Sequence, residues 1–228
     1  MITIKSAAVR KAVKILVPLL FIPGVIALGV FVFREKQYAL ISLAVAVLAL
    51  ALFIAGFERK KTGTRRLIIV AVMVALSVAG RFIPFFKPVT ALTIITAMYL
   101  GGEAGFLVGT LSALVSNFYF GQGPWTPFQM FAWGLIGLVA GILSSPLKKS
   151  RVFLLIFGFI SGMGYSLIMD VWTVLWYNGA FNPALYITAL STAVPYTLLY
   201  SVSNVIFLWL CARPFGEKLE RVKIKYGV

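Results

Sequence analysis

Reactive side chains are scarce in this chain of 228 residues. It has no histidine, one cysteine (Cys211) and six acidic residues. It therefore cannot form an internal disulfide, and it offers neither a His- or Cys-rich metal site nor a serine–histidine catalytic group. Only one acid, Asp170, lies within a predicted membrane span, which excludes a carboxylate pair inside the membrane. The others, in predicted loops or tails, are Glu35, Glu58, Glu103, Glu217 and Glu220.

Nucleotide-binding sequence is also lacking. No Walker-type phosphate loop occurs, and no hydrophilic segment is long enough to form a nucleotide-binding domain. These absences predict a protein that is not an enzyme, holds no metal or cofactor, and relies on a partner for any work driven by ATP.

Apolar sequence, in contrast, is abundant. Hydrophobic residues make up 61% of the chain and charged residues 12%, and the mean hydropathy is +1.00. Such a composition predicts an all-α integral membrane protein. We expect eight spans: Val13–Phe33, Tyr38–Phe57, Leu67–Ile83, Val89–Gly101, Ala104–Phe120, Pro127–Leu143, Val152–Tyr177 and Pro183–Ala212.

The basic residues predict the orientation of these spans. All but four of the 21 lysines and arginines lie at the two ends of the chain, around positions 59–66 or at 148–151. With eight spans and both termini in the cytoplasm, this distribution obeys the positive-inside rule. The net charge of +15 then indicates contact with anionic membrane lipids rather than nucleic acid. We expect a multi-pass protein of the cell membrane, of the bacterial inner-membrane type. The exceptions lie in the alternate loops: Arg34, Lys36, Arg81 and Lys87.

Polar residues divide the chain into two parts. The first two spans contain almost none, and a hydrophilic segment, Glu58–Arg66, follows them. We therefore expect two N-terminal transmembrane helices over residues 1–60, and a six-helix core with a short basic tail over residues 61–228. The basic and apolar N-terminus lacks a small-residue cleavage pattern and is expected to be retained as a helix.

The segment Gly121–Met130, with the sequence GQGPWTPFQM, is the strongest candidate for ligand contact. Glycine and proline fix a turn there, while Gln122, Trp125, Thr126 and Gln129 supply hydrogen-bonding groups and an aromatic face. This combination suits a small organic molecule. The alternative is that Trp125 only anchors the chain at the membrane interface.

Other candidates lie at the same predicted depth. At a rise of about 1.5 Å per residue along the span Val152–Tyr177, Asp170 lies roughly 27 Å from the cytoplasmic end. This depth is close to the outer boundary of the hydrocarbon. Its carboxylate is expected either to contact a ligand or to pair with Arg81 or Lys87, since an unpaired acid at that depth is unfavourable. The remaining substrate-binding candidates at this level are Arg81, Lys87, Asn117, Tyr119 and Asn178.

Small residues recur at every fourth position of the third span. Ala71, Ala75 and Ala79, called here the alanine stripe, form one smooth helix face that allows another helix to approach closely. That helix belongs either to a partner subunit or to this chain.

Together, the alanine stripe, the outer loop Arg81–Pro88, the inner turn Gly101–Gly105 and the segment Gly121–Met130 resemble the substrate-binding S-component of energy-coupling-factor (ECF) vitamin transporters. The resemblance extends from about Arg65 to Arg213. It implies a six-helix core with a vitamin pocket near the outer face and no enzymatic activity. It also implies a coupling membrane subunit and two ATPase subunits as partners, with the alanine stripe as the docking surface.

Two features depart from this resemblance or stay open within it. The usual pattern has six helices, so the position of the two additional N-terminal spans relative to the docking surface is open. The segment Gly121–Met130 resembles the branch predicted to carry cobalamin, whose amide rim suits Gln and Thr and whose faces suit Trp and Phe. Without cobalt ligands the chain would have to recognise corrin shape. Pantothenate, riboflavin and queuosine precursors stay open.

Three other functions are compatible with the sequence to different degrees. An ion-coupled secondary transporter would use Asp170 as a proton or sodium site. A membrane enzyme acting on lipids would need a cluster of acids and a metal, which a single intramembrane acid does not provide. A ligand-free assembly or anchoring protein is the third.

Overall fold

The computed structural model describes residues 6–33, 37–56 and 63–226. Within these ranges there are helices and no strands, so the predicted all-α class is confirmed. Two π-helical segments, Val17–Phe21 and Gly29–Phe33, extend α1 and α2. The helices are α1 (Ala7–Leu16), α2 (Ile22–Leu28), α3 (Tyr38–Ala55), α4 (Gly63–Gly80), α5 (Val89–Leu100), α6 (Gly102–Phe120), α7 (Thr126–Ile142), α8 (Ser144–Lys149), α9 (Arg151–Asn178) and α10 (Pro183–Tyr226).

Four segments of the described chain are long and apolar enough to cross a membrane by themselves. Helices α5 and α7 are apolar but shorter. At 12 residues, α5 is about 18 Å long and does not match the hydrocarbon thickness of about 30 Å. A multi-pass membrane protein is therefore supported, while the number of crossings and their orientation stay predictions. The four segments are Ala7–Val32, Tyr38–Ala55, Arg151–Asn178 and Pro183–Lys225.

Glycines bring α6 and α7 into backbone contact. A Cβ atom built at Gly109 would lie 2.5 Å from the backbone of Trp133, and one at Gly137 would lie 2.4 Å from the backbone of Gly105. Larger residues cannot occupy these positions without separating the helices. This tight pair holds the two ends of the segment Gly121–Met130 in place.

Helices α9 and α10 form a second close pair. A Cβ at Gly162 would lie within 2.7 Å of atoms of Ser201, and Asn204 donates a hydrogen bond to the carbonyl of Gly158 at 3.1 Å. Small and polar residues take the place of a hydrophobic driving force between these helices.

The N-terminal helical hairpin, described over residues 7–33 and 37–55, packs against the core through α3, which contacts α6 and α7. At the end predicted to be cytoplasmic, Lys14 Nζ lies 2.6 Å from a carboxylate oxygen of Glu103, whose side chain is 16% exposed. Burial opposes ionisation of Glu103, but the hydrogen bond and charge of Lys14, with the charge of Arg66, hold its pKa below the ordinary value. The predicted boundary at residues 60 and 61 lies outside the described residues.

Two features at the end predicted to be cytoplasmic differ from the sequence-based expectation. Helix α10 continues to Tyr226, beyond the predicted end of the last span at Ala212. Falling hydropathy marks the exit from the membrane rather than the end of a helix, and Arg213 pairs with Glu217 one turn later at 3.0 Å. The short helix α8 was not predicted; its Lys148 lies 4.3 Å from the ring centre of Tyr99.

Candidate binding site

A buried arginine organises the end of the core that is predicted to face outward, called here the outer end. Arg81 directly follows α4 and is 8% exposed. It donates hydrogen bonds to Ser116 Oγ and, at 2.8 Å, to Asn117 Oδ1, both on α6. Among the described residues it forms no ion pair with a carboxylate, and its Nε has no hydrogen-bond partner.

A continuous hydrogen-bond network extends from this arginine to α9. Asn117 Nδ2 donates to Thr126 Oγ1 at 3.0 Å and to Gln129 Oε1 at 2.8 Å. Gln129 Nε2 donates in turn to the hydroxyl of Tyr165 at 2.9 Å. We call Arg81, Asn117, Thr126, Gln129 and Tyr165 the outer polar network. It connects α6, α7 and α9, and four predicted site residues meet in it: Arg81, Asn117, Thr126 and Gln129.

Aromatic rings enclose the network. Trp133 stacks on Tyr165 with ring centres 4.9 Å apart, and Tyr200 meets Tyr165 edge to face at 5.7 Å. The guanidinium carbon of Arg81 lies 4.8 Å from the ring centre of Phe120 and 5.4 Å from that of Trp133. These contacts stabilise a cation whose charge is not neutralised by any carboxylate of the described residues.

A small cavity of about 30 Å³ lies within this cluster. Lys87 lines it, and burial together with the positive charge of Arg81 lowers the pKa of Lys87. Its volume is close to that of a single water molecule, so a vitamin enters only if the cluster opens. The other lining residues are Arg81, Val89, Thr90, Gln129, Trp133, Gly162, Tyr165, Tyr200 and Asn204.

The segment Gly121–Met130 separates this small cavity from a larger one. Gln129 lines the small cavity, whereas Pro124, Pro127 and Phe128 line a cavity of about 420 Å³ between the N-terminal hairpin and the core. Trp125 meets Trp172 edge to face at 5.8 Å, and Trp172 lines the large cavity. Trp125 also covers Gly123, where a Cβ would lie 2.2 Å from its ring.

Asp170 does not join the outer polar network. It is 8% exposed, lines neither cavity, and forms no ion pair with Arg81 or Lys87 within the described part of the chain. Of the two predicted alternatives, pairing with Arg81 or Lys87 is therefore not found, and contact with a ligand stays a prediction. Five residues separate Asp170 from Tyr165, which at about 100° per residue places the two side chains on different faces of α9. Asp170 lies beside Ser166, whose hydroxyl is 2.6 Å from that of Thr197 on α10.

Three further candidates also lie outside the network. Tyr119 is 72% exposed and packs against Phe82. It lies two residues after Asn117, and a rotation of about 100° per residue places it on nearly the opposite face of α6. Asn178 is exposed and bonds only to the nearby carbonyl of Ala180 at 3.1 Å. Gln122 donates to the carbonyl of Leu114 at 2.9 Å, which closes the end of α6.

Comparison of the sequence with known protein families gives a match. The sequence model of the family described as "ECF-type riboflavin transporter, S component" matches residues 61–221, which is most of the chain. The chain belongs to this family. No curated protein and no solved structure gives a significant match. The family is that of a transport subunit and not of an enzyme.

Within this ECF S-component, sequence reasoning missed the aromatic half of the site. Trp133 lies four residues after Gln129 on α7, so helical spacing alone places the two on one face. Tyr165 and Tyr200 lie on different helices, α9 and α10, and no local pattern connects them. Among the described residues no cluster of three or more His, Cys, Asp or Glu side chains could hold a metal.

The alanine stripe lies on the outside of this S-component. Ala71, Ala75 and Ala79 are all exposed, whereas Ser77 on the same helix is fully buried. The internal-packing alternative is therefore not what the fold shows. The N-terminal hairpin packs mainly on α6 and α7, so its principal contacts leave this face uncovered.

Proposed function

We propose that this chain is the substrate-binding subunit of an ECF importer, and that the outer polar network binds a planar, acceptor-rich vitamin, with riboflavin as the first candidate. The observation that carries this proposal is the buried Arg81, which has aromatic and amide neighbours but no carboxylate partner among the described residues.

The charge at this site favours a ligand that accepts hydrogen bonds. A buried cation without a counter-charge is unfavourable, and Lys87 adds a second positive group to the same cavity. Ring carbonyls would accept hydrogen bonds from these donors, including the free Nε of Arg81. This argument supports a neutral or anionic vitamin over a cationic one.

The aromatic rings favour a flat ligand. Trp133, Tyr165 and Tyr200 present adjoining ring surfaces, and such surfaces stack on planar heteroaromatic rings. Riboflavin combines a fused planar ring system bearing carbonyl groups with a hydroxylated chain, which would suit the amides of Asn117 and Gln129. The family match supports the same substrate.

Binding would require the outer loop Arg81–Pro88 to move, because the cavity is too small for any vitamin. Phe85 in this loop has a φ of 60°, a conformation that is uncommon for a bulky side chain, and it is 72% exposed. The loop is held to α10 by hydrogen bonds between the backbone of Lys87 and the hydroxyl of Ser203, at 2.9 and 3.3 Å. Cobalamin is several times larger than riboflavin and would require a wider opening, so it ranks second.

We further propose that the alanine stripe docks the coupling membrane subunit, which two ATPase subunits power. Exposure of all three alanines on α4 supports this assignment. Close helix contact over alanine is a favourable mode of association where lipid gives no hydrophobic driving force.

An ion-coupled carrier is the second candidate, because Asp170 is buried and one of its carboxylate oxygens has no hydrogen-bond partner. Asp170 lines neither cavity, so a proton or ion bound there would act at a distance from the outer polar network. This separation favours the ECF function.

The decisive experiment is titration of the purified chain with riboflavin, followed by flavin fluorescence, with cobalamin and pantothenate in parallel. Stacking on Trp133 or Tyr165 should quench the flavin signal. Arg81→Gln should bind more weakly while keeping the wild-type thermal midpoint, and Arg213→Gln, in the exposed cytoplasmic pair with Glu217, is the matched control. If only cobalamin binds saturably, the assigned substrate changes from riboflavin to cobalamin. If the folded protein binds none of the three vitamins, the proposal is overturned.

A further inference from the structure

The large cavity lies where the N-terminal hairpin meets the core. It has a volume of about 420 Å³. Ile26 and Val30 line it from the hairpin, and Phe128 and Leu175 line it from the core. All four are apolar, and none of the described lining residues is charged. The cavity is separate from the small polar cavity, with which it shares no lining residue.

The cavity opens towards the surface of the bundle at its outer end. Phe31 and Trp176 line it and are 63% and 39% exposed, respectively. Tyr38, at the start of α3, also lines it. Aromatic residues with a polar atom are typical of the depth where lipid head groups meet hydrocarbon. The opening therefore lies at the level of the outer lipid head groups.

We propose that this cavity binds one acyl chain of an outer-leaflet phospholipid. An empty cavity of this size would lose dispersion contacts along the apolar part of its lining. A flexible hydrocarbon chain from the adjacent leaflet fills such a space without requiring hydrogen bonds. Trp176 and Tyr38 both line the cavity, and their indole N–H and hydroxyl groups are donors that ester and phosphate oxygens would accept from.

The bound acyl chain would connect the N-terminal hairpin to the core at the outer end. The hairpin is fixed at the cytoplasmic end by the ion pair of Lys14 and Glu103. The described residues show no corresponding ion pair at the outer end. An acyl chain packed between Val30 and Leu175 supplies apolar contact there.

The test is native mass spectrometry of the full chain, purified in mild detergent and then supplied with phosphatidylglycerol. Wild type should retain one phospholipid after excess detergent and lipid are removed. Val30→Trp fills the cavity from the hairpin side, and its bound fraction should fall about tenfold. Leu28→Trp is the matched control, because Leu28 lies two residues before Val30 in the hairpin, is 52% exposed and does not line the cavity.

Two further measurements keep the result decisive. If Val30→Trp lowers the thermal midpoint, Leu175→Trp fills the same cavity from the core and should lose lipid equally. Riboflavin is then added to the lipid-bound wild type. Retention of the phospholipid supports two separate sites, and its displacement would show that the large cavity is a vitamin site. Equal lipid retention by Val30→Trp and Leu28→Trp, or retention of free palmitic acid in place of phospholipid, would also overturn the proposal.

Discussion

The two faces of α4 have opposite chemistry. The inner face buries Val70, Met73 and Ser77 and leads to Arg81, which enters the outer polar network. The outer face presents the alanine stripe and no hydrogen-bonding side chain at those three positions. One rigid helix therefore carries both a proposed ligand contact and the proposed docking surface. Binding and docking should be separable by mutation, although a shift of Arg81 would also move the stripe.

The largest effect on transport should come from the outer face of α4, which carries the alanine stripe. Ala75→Trp should abolish ATP-dependent uptake into proteoliposomes containing the whole complex, because a bulky side chain prevents close helix contact. The affinity of the isolated chain for the vitamin should stay within about twofold of wild type, since Ala75 lies on the exposed face of α4 and not on the face that leads to the outer polar network. Uptake and calorimetric binding are the two measurements.

The matched control for the docking face is Ala27→Trp, which introduces the same ring at an exposed alanine of the hairpin. It should leave uptake intact. If Ala75→Trp reduced binding and uptake together, the two faces of α4 would not be independent, and the separation argued above would be wrong.

The next largest effect should come from the inner face. Arg81→Ala removes two hydrogen bonds to α6 and the only buried guanidinium of the outer polar network, so riboflavin should bind about a hundredfold more weakly. Arg81→Lys keeps the charge but not the planar donor geometry and should recover only part of the affinity. Thermal midpoints of both variants show whether the loss reflects binding or folding.

Much of this arrangement follows from the sequence, for physical reasons that differ between elements. Hydropathy located the helices well because burial in lipid requires long apolar segments. The segment Gly121–Met130 was identified because Gly, Pro and amide side chains together are unusual at a helix boundary. Thr126, Gln129 and Asn117 do meet in one hydrogen-bond network.

What the sequence could not provide is the rotation of each helix about its own axis. Asp170 and Tyr165 lie at comparable depths on α9, yet only Tyr165 faces the network. The choice depends on how α9 packs against α7 and α10, which is set by contacts such as Gly162 with Ser201 far along the chain. Predicted depth alone therefore placed Asp170 in the site.

A smaller effect on vitamin affinity is expected in the segment Gly121–Met130, which separates the two cavities. Trp125→Ala should weaken binding by about 1–3 kcal/mol if the indole stacks on the ligand. Trp209→Ala is the matched control, because Trp209 is a 55% exposed residue of α10 whose ring packs against Arg151 and not against the segment Gly121–Met130. Equal affinities of Trp125→Ala and wild type by calorimetry would restrict Trp125 to packing on Gly123 and Trp172.

The smallest effect should come from Asp170, and this result separates an ATP-driven importer from an ion-driven carrier. Asp170→Asn keeps the size and hydrogen-bonding capacity of the side chain but removes its proton-carrying group. Because Asp170 lies outside the outer polar network, the Asn variant should bind vitamin with nearly wild-type affinity. Whole complexes in proteoliposomes, with ATP inside and no ion gradient, should then import at nearly the wild-type rate. Gradient-driven uptake by the wild-type chain alone, lost in the Asn variant, would instead assign transport to the carboxylate.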